Sequence, residues 1–415
     1  MGATMALRGT NQEFGRPYNR RIVLETIRLE APIARGEIAR KVGLTVQTVS
    51  TIIRELELQG FVMGSREAPK GRGLPRTNLT LNPEGGFAIG LHVTPIGVSA
   101  ALVNLAGKIV GTRHHPMSRV SPEATFPVFE ALIAEMSALR PDGRMLGIGV
   151  AMPGPSDVDS MSFVGPTTLE GWKGIAVGER LAEANVLPVF AGAELGAVAL
   201  GERLYGAGRD FRAFYYIYFG VGLGGAATVQ DGTVLRGVYG NAGEIGHLPL
   251  VPGGDPCPCG NRGCLERYVS RDALDRRLKA VDPTATIETA LTEHPDVVDA
   301  WIAEAAPVLR SAIATIENLF DPETIVIGGL ASDALLERLI AGTEPLMHSV
   351  AERRGRTTPR LTLSSNGRDA VLRGAAALAI SGALSPRFGL LFAGEEERTD
   401  RDPIMTGPAK KEVAA

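Results

Sequence analysis

The chain has 415 residues, with 43 Lys and Arg against 46 Asp and Glu, a formal net charge of −3, 44% hydrophobic residues and three cysteines. That length predicts two or three domains of roughly 100–200 residues each. Three cysteines exclude a complete disulfide framework, no charged-then-apolar leader opens the sequence, and no apolar run approaches the ~18–20 residues that span a bilayer, so a soluble protein of the reducing cytoplasm, away from membranes, is expected. The 51 glycines and 5% aromatic content suit closely packed α/β elements joined by tight turns.

Charge is unevenly distributed. Residues 1–80 hold 13 Lys and Arg against 7 Asp and Glu, whereas the remaining 335 hold 30 against 39. A basic head on an acidic body points to a polyanion as the head's partner, because phosphate neutralisation needs only a local cationic surface.

In chain order, residues 1–16 lack apolar periodicity and predict a flexible arm, and residues 17–81 predict a winged helix-turn-helix. Asn19 is placed to cap a first helix running to Leu29, and Ile33–Val42 predicts a short second helix closed by Gly43. Thr45 then caps a third helix. At about 100° per residue its core face holds Val46, Val49, Ile53 and Leu56, leaving Gln47, Thr48, Thr51 and Arg54 outside. Those side chains suit base edges and phosphates. The run Phe61–Met63 and the run Thr77–Leu81 predict two strands around a wing that contains Arg72 and Arg76. Any surface helix carries polar residues, so a plain three-helix bundle is the alternative. The ordered short helix, glycine turn, capped helix and basic wing favour DNA, with Thr45, Gln47, Thr48, Thr51, Arg54, Arg72 and Arg76 as the contacts.

Residues 82–385 predict an α/β body. Phe87–Val93 and Gly97–Val103 make one hairpin, and residues 214–235 repeat the plan, with strands at Phe214–Phe219, Ala226–Val229 and Thr233–Leu235. Two such units imply two related lobes with a ligand cleft between them. Asp321–Leu330 predicts a buried strand, Arg368–Ile380 an Ala-rich helix, and residues 386–415 a disordered tail.

All three cysteines, Cys257, Cys259 and Cys264, fall within eight residues, and His247 lies ten residues upstream. Three thiolates and an imidazole suit a closed tetrahedral zinc site, which would be structural since protein fills every position. A reduced thiol cluster, or one disulfide with a spare cysteine, is the alternative. Glu244 and Glu266 flank this group. Beside an imidazole whose second nitrogen is available, two carboxylates suit the adjacent hydroxyls of a polyol or sugar, unless they serve only as supports or surface charges.

The segments Gly243-Glu-Ile-Gly-His247 and Cys257-x-Cys-Gly-x-x-Gly-Cys264-x-Glu266 resemble the signature of the ROK family of repressors, open reading frames and sugar kinases. Met152-Pro-Gly154, Leu169-Glu-Gly-Trp172 and Ile327-Gly-Gly329 are similar to further segments of that family, and the head ending in Gly71-Arg-Gly-Leu-Pro75 resembles its xylose and N-acetylglucosamine repressors. The resemblance implies a two-lobed actin-like sugar-kinase fold of the ribonuclease H type behind the head. It also implies a homodimer or dimer of dimers on a pseudo-palindromic operator, and zinc at His247, Cys257, Cys259 and Cys264. Sugar contacts are implied at Glu244, His247 and Glu266, with Glu194 beside them. Kinases of the family open with Asp-x-Gly-Gly-Thr-Lys, where this chain has His92-Val-Thr-Pro-Ile-Gly97. Their Gly-Thr-Gly is here Gly220-Val-Gly222, and their catalytic Asn-Asp is Ala193-Glu194. A sugar-responsive regulator without kinase activity is therefore expected. The alternatives are a sugar kinase with an appended head, using Glu194 as base, and a DNA-binding scaffold governed by a protein partner.

Overall fold

In the computed structural model of the chain, the described residues are 15–66, 77–153, 169, 171–172, 174–227, 233–238, 241–353 and 355–384. The expected tail, the start of the arm, and Arg72 and Arg76 of the wing lie outside them.

The head consists of α1 (Gly15–Glu30), β1 (Ile33–Ala34), α2 (Arg35–Val42), α3 (Val46–Leu58), β2 (Val62–Arg66) and β3 (Thr77–Leu81). Its strands form an antiparallel sheet in the order β1-β3-β2. Three expectations are corrected. The first helix starts at Gly15 within the predicted arm, since Pro17 is tolerated in a helix's first turn, and Asn19 is a buried interior residue rather than its cap. Ile33 and Ala34 are not helical, because their backbone pairs with Leu79 and Asn78 of the wing. Gly43 does end α2, at φ 70°, where a side chain would be strained.

The first lobe carries β4 (Phe87–Thr94), β5 (Gly97–Asn104), β6 (Ile109–Pro116), α4 (Pro122–Ala138), β7 (Met145–Met152), α5 (Val177–Ala184) and β8 (Val189–Ala193). Its five-stranded sheet runs β6-β5-β4-β7-β8. Helix α6 (Glu194–Tyr205) leads to the second lobe. There β9 (Phe214–Phe219) and β10 (Leu223–Ala227) precede α7 (Arg271–Val281), α8 (Ala290–Glu293), α9 (Pro295–Phe320), β11 (Thr324–Gly329), α10 (Asp333–Gly342) and β12 (Leu361–Leu363). The second sheet runs β10-β9-β11-β12. The predicted hairpin repeat is present, but β10 begins at Leu223 rather than Ala226, in register with Phe219. Residues 233–235 are irregular apart from one bridge residue at Val234, because no described neighbour extends that edge of the sheet.

The last helix, α11 (Ala370–Leu384), returns to the first lobe and packs on β4, β7 and α6. Its approach is unusually close. A Cβ at Gly149 would lie 1.7 Å from the carbonyl oxygen of Ala375, so both the strand and the Ala-rich helix must be free of bulk there. One apolar cluster then runs without interruption from Ile22, Leu24, Ile53 and Leu79 of the head into Val103, Leu146, Ile380 and Leu384 of the body. The boundary near residue 82 thus separates elements without separating cores. Arg144 reinforces the junction, stacking over Phe61 at 4.5 Å and donating from Nη1 to the carbonyl of Gln59 at 2.7 Å. No helix among the described residues is long and apolar enough to cross a membrane.

Candidate DNA-binding face and ligand cleft

On α3, the Thr45 hydroxyl accepts from the amide of Thr48 at 3.1 Å, which satisfies one of the open donors at the helix start. Val49, Ile52, Ile53 and Leu56 are buried, while Thr45, Gln47, Thr48, Thr51 and Arg54 are all exposed on the opposite side. Val46 corrects the expected core: it is 55% exposed. It is the first residue of α3, and its side chain faces solvent there. An exposed valine therefore joins the polar face. The head is braced by the ion pairs Arg20–Glu55, Arg35–Glu57 and Lys41–Glu30.

In the second lobe, glycines let four segments converge. Loop residues Gly243 and Gly246 lie directly on β10, where added Cβ atoms would come within 2.1 Å of the Gly225 oxygen and 2.0 Å of the Leu223 oxygen. Gly222 leaves room for the Glu266 carboxylate and Gly224 for Leu195 of α6. The result brings Glu244, His247 and Glu266 together: Glu266 Oε1 is 3.6 Å from His247 Nδ1, and both groups act on Glu244. Burial pushes the Glu244 carboxyl above the usual carboxylate range; His247 opposes that shift and Glu266 adds to it.

The cysteine loop closes against the same histidine. Bridges pair Pro249 with Cys264 and Pro256 with Arg262, while Gly260 and Gly263 turn the backbone at φ 93° and 73°. The tyrosine hydroxyl of Tyr268 accepts from the amide of Asp255 at 2.9 Å, fixing the loop to the lobe. One donor atom each from His247, Cys257, Cys259 and Cys264 lies within 4.8 Å of all the others. Cys257 Sγ is 3.7 Å from His247 Nδ1, and the Cys259 and Cys264 sulfurs are 3.6 Å apart. Ligands at ~2.0–2.3 Å around a tetrahedral zinc would stand about 3.5–3.8 Å apart, so these two separations match the ion, and the donor set suits it chemically. Nδ1 faces the thiols, and Nε2 is the ring's other hydrogen-bonding edge.

Glu194 is the first residue of α6 and meets a group that sequence reasoning missed. His92 Nε2 of β4 lies 3.5 Å from Glu194 Oε1. Burial raises the Tyr218 hydroxyl of β9 well above its ordinary pKa, and the neighbouring Glu194 carboxylate raises it further. The sequence signal was available for His92, which stands at a position singled out as a departure from kinases, but nothing in the local pattern joins it to Tyr218. Trp172, by contrast, belongs to the first lobe's core: it stacks on Phe126 and donates to the Val120 carbonyl at 2.7 Å.

Comparison with known proteins agrees with this architecture. Residues 88–381 match the ROK family and residues 17–63 a winged helix-turn-helix DNA-binding family. The xylose repressor of Bacillus spizizenii is 28% identical over 323 residues, covering 76% of this chain and 83% of the repressor. The transcriptional dual regulator NagC of Escherichia coli is 26% identical over 345 residues, covering 78% of this chain and 83% of NagC. A crystal structure of a ROK family transcriptional regulator, a homolog of the E. coli MLC protein, superposes with a TM-score of 0.68 at 25% identity, covering 91% of this chain and 98% of that one.

Proposed function

Since the chain belongs to the ROK family, with a winged helix-turn-helix ahead of its ROK domain, we propose that it is a DNA-binding transcriptional regulator, a repressor of carbohydrate genes, whose effector is a sugar held between the lobes. The observation that carries this reading is the joining of an exposed, capped α3 face to a sugar-kinase-like body through one apolar core. Gln47 and Arg54 would read or anchor DNA, Thr45, Thr48 and Thr51 would meet phosphates or thymine methyls, and Val46 adds a methyl-bearing contact. Arg72 and Arg76 would follow the backbone from the wing. A homodimer, or a dimer of dimers, would place paired heads on a pseudo-palindromic site.

Glu244, His247, Glu266 and Glu194 would hold sugar hydroxyls. Zn²⁺ at His247, Cys257, Cys259 and Cys264 would fix the loop that carries His247 and leave no open coordination position for chemistry. Phosphoryl transfer is not part of this reading: His92 stands in place of the kinases' leading aspartate, and Glu194 replaces a shorter catalytic side chain.

The route from cleft to head is α6. Its 12 residues span about 18 Å at ~1.5 Å per residue, from Glu194 to Tyr205. Tyr205 packs against the apolar cluster shared with the head. Burial holds its hydroxyl up at about 12, beside the buried Arg28–Glu25 pair of α1. A ligand that binds two orientations of this helix unequally shifts the head's affinity for DNA.

The test is fluorescence anisotropy of labelled DNA from upstream of the protein's own gene and its neighbours, at fixed salt, with free and phosphorylated sugars. Tight binding altered by one sugar is the expected outcome. Tight binding indifferent to every sugar transfers the case to a partner-governed scaffold, and ATP-dependent sugar turnover abolished by Glu194→Gln transfers it to a kinase.

A further inference from the structure

Helix α1 is buried without a break from Ile22 to Arg28, nearly two turns, so it is covered on every side. Ile22, Leu24 and Ile27 belong to the apolar cluster shared with the body. Glu25 and Arg28, each 8% exposed, are the charged residues within this stretch. They pair with each other, Arg28 Nε donating to Glu25 Oε2 at 2.8 Å and Nη2 to Oε1. Both belong to the head, so the pair itself adds no bond between head and body. Stability does not account for it either, because apolar residues of similar volume in place of a buried ion pair are often neutral or stabilising.

On the body's side, the pair meets Tyr205 at the end of α6: Arg28 is the charge that acts most strongly on its hydroxyl, ahead of Glu25 and Arg373. This seat is firmly built. A Cβ at Gly107 would lie 2.4 Å from the Tyr205 ring, so the turn between β5 and β6 presses flat against it. Arg373 of α11 holds that turn, donating from Nε to the Gly107 carbonyl at 2.9 Å. Its Nη1 reaches beyond β12 to the second lobe, to Asn366 Oδ1 at 2.7 Å and the Asn366 carbonyl at 2.9 Å. Other settings for the pair are unfavourable. The shared cluster includes Val103, Leu105 and Ile380, which offer a charge no hydrogen bond, and Arg203, two residues before Tyr205 on α6, repels Arg28. Even in the seat, Arg28 Nη1 and the Tyr205 hydroxyl are buried without a hydrogen bond, which adds to the cost of the arrangement.

We propose that the buried Glu25–Arg28 pair, seated on Tyr205, is an orientation latch: the apolar cluster keeps the head on the body, and the pair selects the angle at which it sits. Hydrophobic adhesion is non-directional and tolerates sliding, whereas a buried charge pair tolerates few surroundings. The latch goes beyond the reading of the cleft and holds whatever the cleft binds. Because its seat combines α6, the β5–β6 turn and an arginine bonded to the second lobe, a shift of either lobe at this point changes the angle of the head rather than its attachment.

The experiment uses the full zinc-loaded chain with nitroxides linked to azidophenylalanine at Leu58 of α3 and at Val186 between α5 and β8, both strongly exposed. Pulsed electron resonance then reads the head-to-body distance, with labelled chain diluted in unlabelled chain so that only distances within one chain count. The native protein is expected to give one narrow distribution. Glu25→Leu combined with Arg28→Met is expected to broaden it roughly twofold while the midpoint of thermal unfolding is kept or raised. Arg28→Met alone strands the Glu25 carboxylate and is expected to unfold at a lower temperature than the double variant. Native width in the folded double variant overturns the latch, as does a broad distribution in the native protein. A lowered midpoint in the double variant overturns it as well, since the pair would then be what holds the head on.

Discussion

The cysteine loop and the winged head are both appendages of the same α/β body, yet they are held by opposite means. The loop around Cys257–Cys264 is built from glycine turns and two isolated bridges, and its own apolar contribution is small. The head buries Ile22, Leu24, Ile27, Ile53 and Leu56 completely, in a cluster that continues to Leu384. The proposed metal centre would hold a short loop in one place, whereas a shared core would pass displacement from one unit to the other. The difference matches the tasks proposed for them: the loop would present His247 to a ligand, and the head would respond to the body's state.

The comparison can be broken most directly at the metal. Chelation, or Cys264→Ser, is expected to abolish sugar binding, since apparent zinc affinities of structural sites correspond to ~10–16 kcal/mol and the loop between Cys257 and Cys264 buries no large apolar side chain of its own. Anisotropy should still detect DNA binding by the head. Zinc content measured by mass spectrometry together with calorimetry checks this, and a zinc-free protein that binds sugar normally would refute the loop's dependence on metal. Next in size, Ile380→Ala opens a cavity in the shared cluster and should cost about 2–5 kcal/mol in thermal or denaturant unfolding. Loss confined to the body, with the head's melting unchanged, would contradict a common core.

A smaller change sharpens the link between the two regions. Tyr205→Phe removes only the buried hydroxyl beside Arg28, so sugar and DNA should each bind nearly as before while the coupling between them falls by about 0.5–2 kcal/mol, the range over which single residues modulate allosteric coupling. Measuring DNA affinity with and without saturating sugar isolates that term. Within the head alone, Gln47→Ala should weaken specific over nonspecific DNA binding by about 1–3 kcal/mol. Thr45→Ala should lower stability by about 1 kcal/mol through loss of the α3 cap. Unaltered sequence discrimination in Gln47→Ala would mean that α3 presents another face to DNA.

Much of the candidate site was legible because it is written in local spacing. Cys257, Cys259 and Cys264 are neighbours in sequence, and a loop of that length with glycines at 260 and 263 has few ways to fold except around a common centre. Thr45 and the alternation of buried and exposed residues along α3 follow from helical geometry. Val46 escaped that logic because periodicity gives the direction of a side chain without saying whether anything stands opposite it. Ile33 and Ala34 were misread for a related reason: their strand conformation comes from Leu79 and Asn78, more than forty residues away.

By itself, then, the sequence determined the order of elements, the two lobes, the gathering of His247 with the three cysteines and the polar face of α3, because each depends on chirality, side-chain periodicity or short loop closure. Only the tertiary structure decided that His92, Glu194 and Tyr218 share one polar junction, that Gly149 lies beneath Ala375, and that α6 reaches from the cleft to Arg28 of the head. Those relations depend on how two sheets and the helices between them are set against each other, and that arrangement is fixed by packing summed over the whole core.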